Sequence, residues 1–460
     1  MNKRRVLLIG LDCATPQLVF DRFLDDLPHL RRLMSGGIYG PLESTIPPIT
    51  CPAWMSMMTS KDPGELGIYG FRNRRDYSYS NLHLVHSRLI TEETVWEILA
   101  RYDKKAILIS IPPSYPPKAV NGWLVSCFLT PTSAEHYTYP PDLKNELEQV
   151  AGRYIFDASN FRTEDKGRIL AELYQMAEKR FKVLRHLIQT RDWDFGMMVE
   201  IGLDRLHHGF WKYFDPEHPK YEPGSKYATA IKDYYVTLDT MIGDLLSALP
   251  DETTVIVSSD HGANRLDGGI CVNEWLMAEG YLSLKERPST ITPFDKVEVD
   301  WKRTIAWGEG GYYARIFLNV KGREPQGILE PSEYETVRDE LAEKLRAITN
   351  PAGETIGTKV YKPEEIYKQC RGIPPDLIVH FGNLFWRSIG SVGYGTVWTL
   401  ENDTGPDDAN HAQHGILIMN GPAIRAAGPR TGLHLMDVAP TILNLFGIPA
   451  PQDMQGKVIS

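Results

Sequence analysis

Eight short apolar runs, spread along almost the whole chain, are the feature that most restricts how this sequence folds. Each run has at most eight residues, several are rich in valine and isoleucine, and none alternates strictly between apolar and polar residues. Such runs are typical of strands that are covered on both faces, as in a parallel sheet. The runs are Val6–Gly10, Ala106–Ile111, Trp123–Cys127, Phe195–Ile201, Thr254–Val257, Ala314–Val320, Leu377–Phe381 and Ile416–Met419.

Helical patterns lie between these runs, the clearest at Lys166–Thr190, Lys226–Leu249 and Pro331–Ile348. Alternating strands and helices predict an α/β fold, with a largely parallel central sheet and helices on both faces. Length alone suggests about three domains, but large α/β enzymes often have one core with insertions. We therefore interpret residues 1–460 as a single catalytic domain. A segment within about 282–313, rich in proline and tryptophan, is a candidate for a cap-like insertion over the active site.

Charge and cysteine content narrow the class of protein. The net charge of −9 argues against a nucleic-acid-binding surface. No stretch approaches the ~20 apolar residues of a membrane helix, and the first apolar run is too short for a signal peptide. The five cysteines are scattered and without paired spacing, which indicates a reducing compartment. These features predict a cytoplasmic enzyme without a nucleic-acid or membrane partner, and they leave its oligomeric state open.

Asp260 and His261 lie side by side just after the run Thr254–Val257, where a buried strand is expected to end. Open α/β sheets bind ligands outside the carboxyl ends of their strands. Aspartate and neutral histidine are both good ligands for zinc or manganese. Because the same dipeptide is also common in plain turns, its weight depends on further ligands in similar positions.

Two other strand ends offer such ligands. Asp12 directly follows the first run, and Asp204 and His208 follow the run that ends at Ile201. A spacing of four residues places Asp204 and His208 on one face of a helix, whereas His207 points about 100° away. The plainer interpretations are a helix cap for Asp12 and a solvent-facing polar pair for Asp204 and His208.

The last strand is preceded by two further histidines, His411 and His414. Either one is a candidate metal ligand, and the plainer interpretation is a loop histidine. Four places beside strands, all offering aspartate or histidine, are nevertheless improbable as a coincidence. The set as a whole therefore favours a metal site.

Thr50 is the candidate nucleophile. The sequence predicts a loop that runs into a helix near Thr50, with Pro52 in the first turn, a favoured place for proline. A helix N-terminus offers unpaired N–H groups and partial positive charge, which suit an alkoxide or a phosphoryl oxygen. The plainer interpretation is that Thr50 is an N-cap. Cys51 is rejected, because it points elsewhere and no Cys-His-Asn pattern accompanies it.

Together these segments resemble the alkaline phosphatase superfamily, specifically its type I phosphodiesterase/nucleotide pyrophosphatase branch. The matching segments follow the family's order and span nearly the whole chain. They are Asp12, Thr50-Cys51-Pro52-Ala53-Trp54, Pro63-Gly64, Gly67-Ile68, Asp204-x-x-x-His208, Ser259-Asp260-His261-Gly262, His411, and Asp437-Val438-Ala439-Pro440-Thr441-Ile442-Leu443.

The resemblance implies two divalent metal ions, zinc or manganese, and a small-molecule phosphate ester as substrate. Thr50 would attack phosphorus and form a phosphothreonine intermediate. His411 is preferred to His414 because related sequences place the ligand four residues before the glycine that opens the strand, here Gly415. The implied ligands are Asp12, Thr50, Asp260 and His261 for one ion, and Asp204, His208 and His411 for the other.

Two positions depart from the family pattern. Leu66 stands where the family often has histidine, and Phe71 stands where nucleotide pyrophosphatases have an asparagine that binds a phosphate oxygen. Candidates to replace that asparagine are Asn73, Arg72, Arg74 and Arg75.

The expected function is that of a metal-dependent phosphohydrolase, more specifically a phosphodiesterase. A phosphomonoesterase or a phosphomutase of the same superfamily is the alternative, although the phosphomutases usually use serine. A sulfatase would need cysteine or serine at Thr50 and arginine near Trp54. A catalytically inactive binding protein is disfavoured, because such proteins commonly lose ligands.

Overall fold

The computed structural model describes residues 3–424 and 427–459. Its strands are β1 (Arg5–Leu11), β2 (Ile38–Glu43), β3 (Arg72–Arg74), β4 (Leu82–Leu84), β5 (Ala106–Ile109), β6 (Gly122–Val125), β7 (Thr138–Tyr139), β8 (Phe195–Glu200), β9 (Thr253–Ser258), β10 (Gly262–Arg265), β11 (Gly268–Cys271), β12 (Ala306–Glu309), β13 (Ala314–Leu318), β14 (Lys359–Tyr361), β15 (Leu377–His380), β16 (Trp386–Ile389), β17 (Trp398–Thr399), β18 (Ala409–Ala412), β19 (His414–Asn420), β20 (Gly428–Pro429) and β21 (Leu433–His434).

Its α-helices are α1 (Pro28–Ser35), α2 (Thr50–Thr59), α3 (Pro63–Leu66), α4 (Val95–Ala100), α5 (Leu143–Ala151), α6 (Lys166–Thr190), α7 (Gly202–Phe214), α8 (Ala230–Leu246), α9 (Val272–Ala278), α10 (Tyr334–Arg346), α11 (Pro363–Ile366) and α12 (Val438–Phe446). The three predicted helical patterns correspond to α6, α8 and α10. None of the helices in the described ranges is long and apolar enough to cross a membrane.

The central sheet has the strand order β20-β2-β19-β9-β1-β8-β5-β6-β7, with β21 also paired to β2. Among the described strands of this sheet, six of the nine pairings are parallel. The predicted α/β fold with a largely parallel sheet is confirmed. The antiparallel pairings belong to β19, which contains the run Ile416–Met419, and to β7.

Helices cover both faces of this sheet, as predicted. Alternate residues of a strand point to opposite faces, and β1 shows the consequence. Leu7 and Ile9 pack into a core with α6, α7 and α8, whereas Val6 and Leu8 pack into a second core with α2, α4 and α12. The strands are continuous apolar runs because both of their faces are buried.

Two of the eight runs lie outside the central sheet. Ala314–Val320 and Leu377–Phe381 contribute β13 and β15 to a separate antiparallel sheet of order β12-β13-β15-β14. This sheet has a core of its own. Periodicity cannot assign such a run to a particular sheet, because any fully buried strand is apolar on both sides.

We call residues 268–399, from β11 to β17, the insertion unit. The segment 282–313, predicted as a cap, lies inside it and supplies β12. The role of that segment as a cap stays a prediction.

The sheet order brings three chain segments to one edge. Strands β9, β1 and β8 are neighbours, with Gly10 opposite Ser258 and Leu11 opposite Glu200. All three strands run in the same direction, so their carboxyl ends meet at the same edge. The residues that follow them, Asp260, Asp12 and the first turn of α7, are therefore close together.

One buried histidine of the insertion unit makes stability depend on pH. Burial lowers the pKa of His380 to about 3, against about 6.5 in an unfolded chain. The unfolded state therefore takes up a proton that the folded state refuses, and the stability present above pH 6.5 is lost as the pH falls. We expect this residue to cost about 2 kcal/mol of unfolding free energy between pH 7 and pH 5.

Urea unfolding of wild type and His380→Phe at both pH values measures this contribution. The free energy of unfolding of the variant should fall less on acidification, by about the same 2 kcal/mol. An identical fall in the two proteins would contradict the prediction.

Candidate metal centre

Helix α2 presents Thr50 at its first residue. Ile49 before it is extended, and no side chain caps the helix. The Thr50 hydroxyl lies 3.4 Å from Nε2 of His261, and Thr50 is only 2% exposed. The N-cap interpretation of Thr50 is therefore wrong, whereas Pro52 does lie in the first turn as predicted. The hydroxyl is held at a buried helix N-terminus beside a candidate metal ligand.

The first candidate metal site consists of Asp12, Asp260 and His261. Ligand atoms from these three residues lie within 4.8 Å of one another. His261 Nε2 is 3.2 Å from Asp260 Oδ2 and 3.7 Å from Asp12 Oδ1. The Nε1–H of Trp54 donates to Asp12 Oδ2 over 2.7 Å. The helix-cap interpretation of Asp12 is wrong, because the helical turn Gln17–Arg22 that follows has no side-chain cap.

The second candidate metal site consists of Asp204, His208 and His411, whose ligand atoms also lie within 4.8 Å of one another. Asp204 Oδ1 is 3.3 Å from His208 Nε2 and 3.5 Å from His411 Nε2. All three residues are 1% exposed, so the interpretation of Asp204 and His208 as a solvent-facing pair is wrong. His411 lies in β18 rather than in a loop, and its ring stacks 3.8 Å from that of His261. The two sites are therefore adjacent.

The histidines of both sites are oriented in the same way. Each ring uses Nδ1 for a hydrogen bond within the protein, His261 to Gly262 O and His411 to Pro48 O, and His208 to the side chain of Asp407. Nε2 of each ring faces the site. A hydrogen bond at one ring nitrogen selects the tautomer whose other nitrogen has a free lone pair.

Buried atoms without a hydrogen-bond partner also converge here. Buried polar atoms are normally paired, and each exception requires an explanation. Divalent cations provide one, because carboxylate oxygens and imidazole nitrogens are their ligands in proteins, so the donor set fits the implied metals. The unpaired atoms at this edge are Asp12 Oδ1, Asp260 Oδ2, Asp204 Oδ1, His208 Nε2 and His411 Nε2.

The electrostatics of the first site favour binding of a cation. Burial, and then the charge of Asp204, raise the pKa of Asp12 well above its ordinary value. Burial and the charge of Asp12 do the same to Asp260. Burial, and then His411, lower the pKa of His261, so its ring is neutral. Clustered carboxylates in a dry pocket repel one another, and a bound cation removes that cost.

Several groups that support the ligands were missed by the sequence interpretation. Arg205 donates to Asp204 Oδ2 over 2.7 Å, and the Tyr312 ring stacks 3.9 Å from that of His411. Asp407 Oδ1 accepts from His208 Nδ1 over 2.7 Å. The acidic pair Asp407-Asp408, just before His411, is the one sequence signal that could have indicated such a group. Tyr312 had none, because its partners are distant in the chain.

Some residues that the sequence offered as candidate ligands or phosphate-binding groups do not contribute to these two sites. His207 packs against Trp211 and Tyr235, and His414 is exposed. Asn73 cannot take the place of the family asparagine, because its side chain bonds the backbone of residues 69 and 70. Arg74 is likewise engaged, in an ion pair with Glu324.

Comparison with known proteins supports one assignment. The family model for type I phosphodiesterase / nucleotide pyrophosphatase matches residues 6–416. Among curated proteins, no significant sequence match is found. Human ectonucleotide pyrophosphatase / phosphodiesterase 5 has a similar fold, with a TM-score of 0.57 at 15% identity, covering 98% of this chain and 97% of that one.

The murine ectonucleotide pyrophosphatase / phosphodiesterase 5 has a similar fold, with a TM-score of 0.55 at 16% identity, over 97% of this chain and 96% of that one. At such identities the solved structures establish the fold, and the family match over most of the chain establishes family membership. The chain belongs to the type I phosphodiesterase / nucleotide pyrophosphatase family, within the alkaline phosphatase superfamily, and is a hydrolase of phosphoric ester bonds.

Proposed function

We propose that this protein is a phosphodiesterase that depends on two divalent metal ions and uses Thr50 as its nucleophile. One observation carries the proposal. The Thr50 hydroxyl lies 3.4 Å from His261 Nε2, at the sheet edge where five buried ligand atoms lack a partner. A helix N-terminus at the same place favours negative charge on an attacking oxygen or on a phosphoryl group.

Two sets of residues would hold the ions. Neutral histidines beside carboxylates suit zinc, and manganese accepts the same ligands. When bound there, the ions lower the pKa of the threonine hydroxyl and neutralise charge around phosphorus. The sets are Asp12, Thr50, Asp260 and His261 for the first site, and Asp204, His208 and His411 for the second.

The chain's own residues then account for two displacements. Thr50 Oγ1 attacks phosphorus, its P–O bond forms as the bond to the leaving alcohol breaks, and the alcohol departs with a proton. The product is a phosphothreonine ester. Water next attacks the same phosphorus, which returns the hydroxyl to Thr50 and releases the phosphate monoester. Helix α2 holds the reacting oxygen in place, because all ten of its residues are buried.

The proposed substrate is a small-molecule phosphate ester. The family name supports this class. A murine ectonucleotide pyrophosphatase / phosphodiesterase 5 has been solved with AMP as an inactive threonine-to-alanine variant. That protein therefore both binds a nucleotide and is inactive without a threonine.

The proposed location is the cytoplasm. All five cysteines of the present chain are unpaired, which supports this location.

Turnover of a diester and a monoester tests the proposal. We expect the chain to hydrolyse bis-p-nitrophenyl phosphate with a higher kcat/KM than p-nitrophenyl phosphate. Chelation should reduce the rate about 10³-fold or more, since metal ions contribute several kcal/mol to such transition states. Added Zn²⁺ or Mn²⁺ should restore it. A faster monoester reaction would favour the phosphomonoesterase or phosphomutase alternative, and full activity after chelation would contradict the metal assignment.

A further inference from the structure

Asp407 is a fully buried carboxylate held by two arginines and by the ring of His208. Its Oδ1 accepts from His208 Nδ1 over 2.7 Å. Its Oδ2 accepts from Arg162 Nε over 2.9 Å and from an Arg387 Nη over 2.5 Å. The Asp407 side chain is 0% exposed. Two arginines therefore fix the carboxylate, and the carboxylate in turn fixes the ring of His208.

His208 differs in this respect from the other two candidate histidine ligands. His261 and His411 each use Nδ1 to bond a backbone carbonyl. His208 Nδ1 lies 3.0 Å from Ala409 O but closer, at 2.7 Å, to the Asp407 carboxylate. A carboxylate on the outer nitrogen of a histidine fixes the ring's tautomer and makes it a more basic metal ligand.

The network reaches His208 from two parts of the fold. Arg162 lies just before α6, whereas Arg387 lies in β16 of the insertion unit. Tyr312, also from the insertion unit, accepts from an Arg162 Nη over 2.6 Å. Its ring stacks on His208 with centroids 5.0 Å apart. Contacts from the insertion unit thus meet at the second metal site.

We propose that Asp407 is a positioning residue that orients His208 toward the ion of the second metal site, and that Arg387 of the insertion unit holds Asp407 in that position. The proposal rests on the two-ion assignment made above. If Asp407 and Arg387 act in this way, the affinity of the second site for its ion depends on contacts with the insertion unit, and the affinity of the first site does not.

Zinc titration of the metal-free full chain, in competition with a chromophoric chelator, measures a dissociation constant for each ion. In Asp407→Asn we expect one constant to rise about 10- to 100-fold, the usual cost of losing an outer-shell carboxylate, while the other is unchanged. Asp376→Asn is the matched control, because Asp376 is also a buried carboxylate that bonds an arginine, Arg323, through two nitrogens. Both constants should match wild type in that control.

Arg387→Met separates positioning from simple electrostatics, and it keeps the proposal testable if Asp407→Asn does not fold. Removing a buried positive charge near a cation site should tighten metal binding if charge alone matters. If Arg387 acts by holding Asp407, the same substitution should weaken the same ion that Asp407→Asn weakens.

Three results would overturn the inference: two unchanged constants in Asp407→Asn, an equal rise of both, or tighter binding in Arg387→Met. Failure of the proposed function is a different result. Wild type that takes up fewer than two ions would remove the two-ion assignment itself. Wild type with two ions and an Asp407→Asn variant that matches it would remove only the role of Asp407.

Discussion

Thr50→Ala is expected to lower kcat for bis-p-nitrophenyl phosphate by roughly 10⁴- to 10⁶-fold, the range seen when a nucleophile is removed from a covalent mechanism. The methyl group that remains cannot form the phosphothreonine ester, so only direct attack by water is left. The fold should survive, because Thr50 makes no capping bond to α2. Steady-state kinetics, with circular dichroism to check the fold, measure the effect.

Thr59→Ala is the matched control. It makes the same change at the other end of α2, where the Thr59 hydroxyl donates to Met55 O and accepts from the Lys61 N–H. Cys51→Ala tests the neighbouring thiol, which the sequence interpretation rejected as nucleophile. Both variants should keep activity close to that of wild type. A Thr50→Ala variant that retained a tenth of wild-type kcat would show that another group attacks phosphorus.

Arg180→Met is expected to lower the free energy of unfolding by about 3–5 kcal/mol, a large share of the 5–15 kcal/mol typical of a folded domain. Arg180 and Glu200 form an ion pair of 2.8 Å, and both side chains are 0% exposed. Loss of the arginine leaves a buried carboxylate without its counter-charge. The Glu200 carboxylate also accepts from the Gly202 N–H at the start of α7, so we expect metal binding at the second site to weaken as well.

Guanidinium unfolding measures this loss. Arg185→Met, on an exposed position of the same helix α6, should change stability by no more than about 0.5 kcal/mol. Adding Glu200→Gln to Arg180→Met removes the orphaned charge and should recover part of the stability. An Arg180→Met variant as stable as the Arg185→Met control would show that the pair contributes nothing.

The sheet was largely predictable, because burial on both faces leaves a direct mark on composition. Every one of the eight apolar runs is a strand, and the helix Lys166–Thr190 has the predicted bounds. Composition did not reveal which strands pair with one another. The runs Ala314–Val320 and Leu377–Phe381 look like the others, yet they pair with each other in a second sheet. Pairing depends on contacts between distant segments, which a local pattern does not contain.

The candidate metal ligands could be predicted from the sequence for a related reason. Asp12 and Asp260 directly follow strands, and in a parallel sheet such positions meet at one edge. Their supporting groups were not visible. Trp54 bonds Asp12 across 42 positions of sequence, and Arg387 reaches the network around His208 from another sheet. Nothing in the local sequence of either residue indicates these contacts.

The sequence by itself thus determined the fold class, the family and the residue types on which the proposed metal-assisted attack on phosphorus rests, because strand ends and ligand chemistry are local properties. Only the tertiary structure decided which atoms face one another. It gathered the ligand atoms of Asp12, Asp260 and His261, and those of Asp204, His208 and His411, into two adjacent groups. It also placed Asp407 behind His208. Those distances result from the packing of helices and of strands from separate sheets around one edge, and packing is a property of the whole chain.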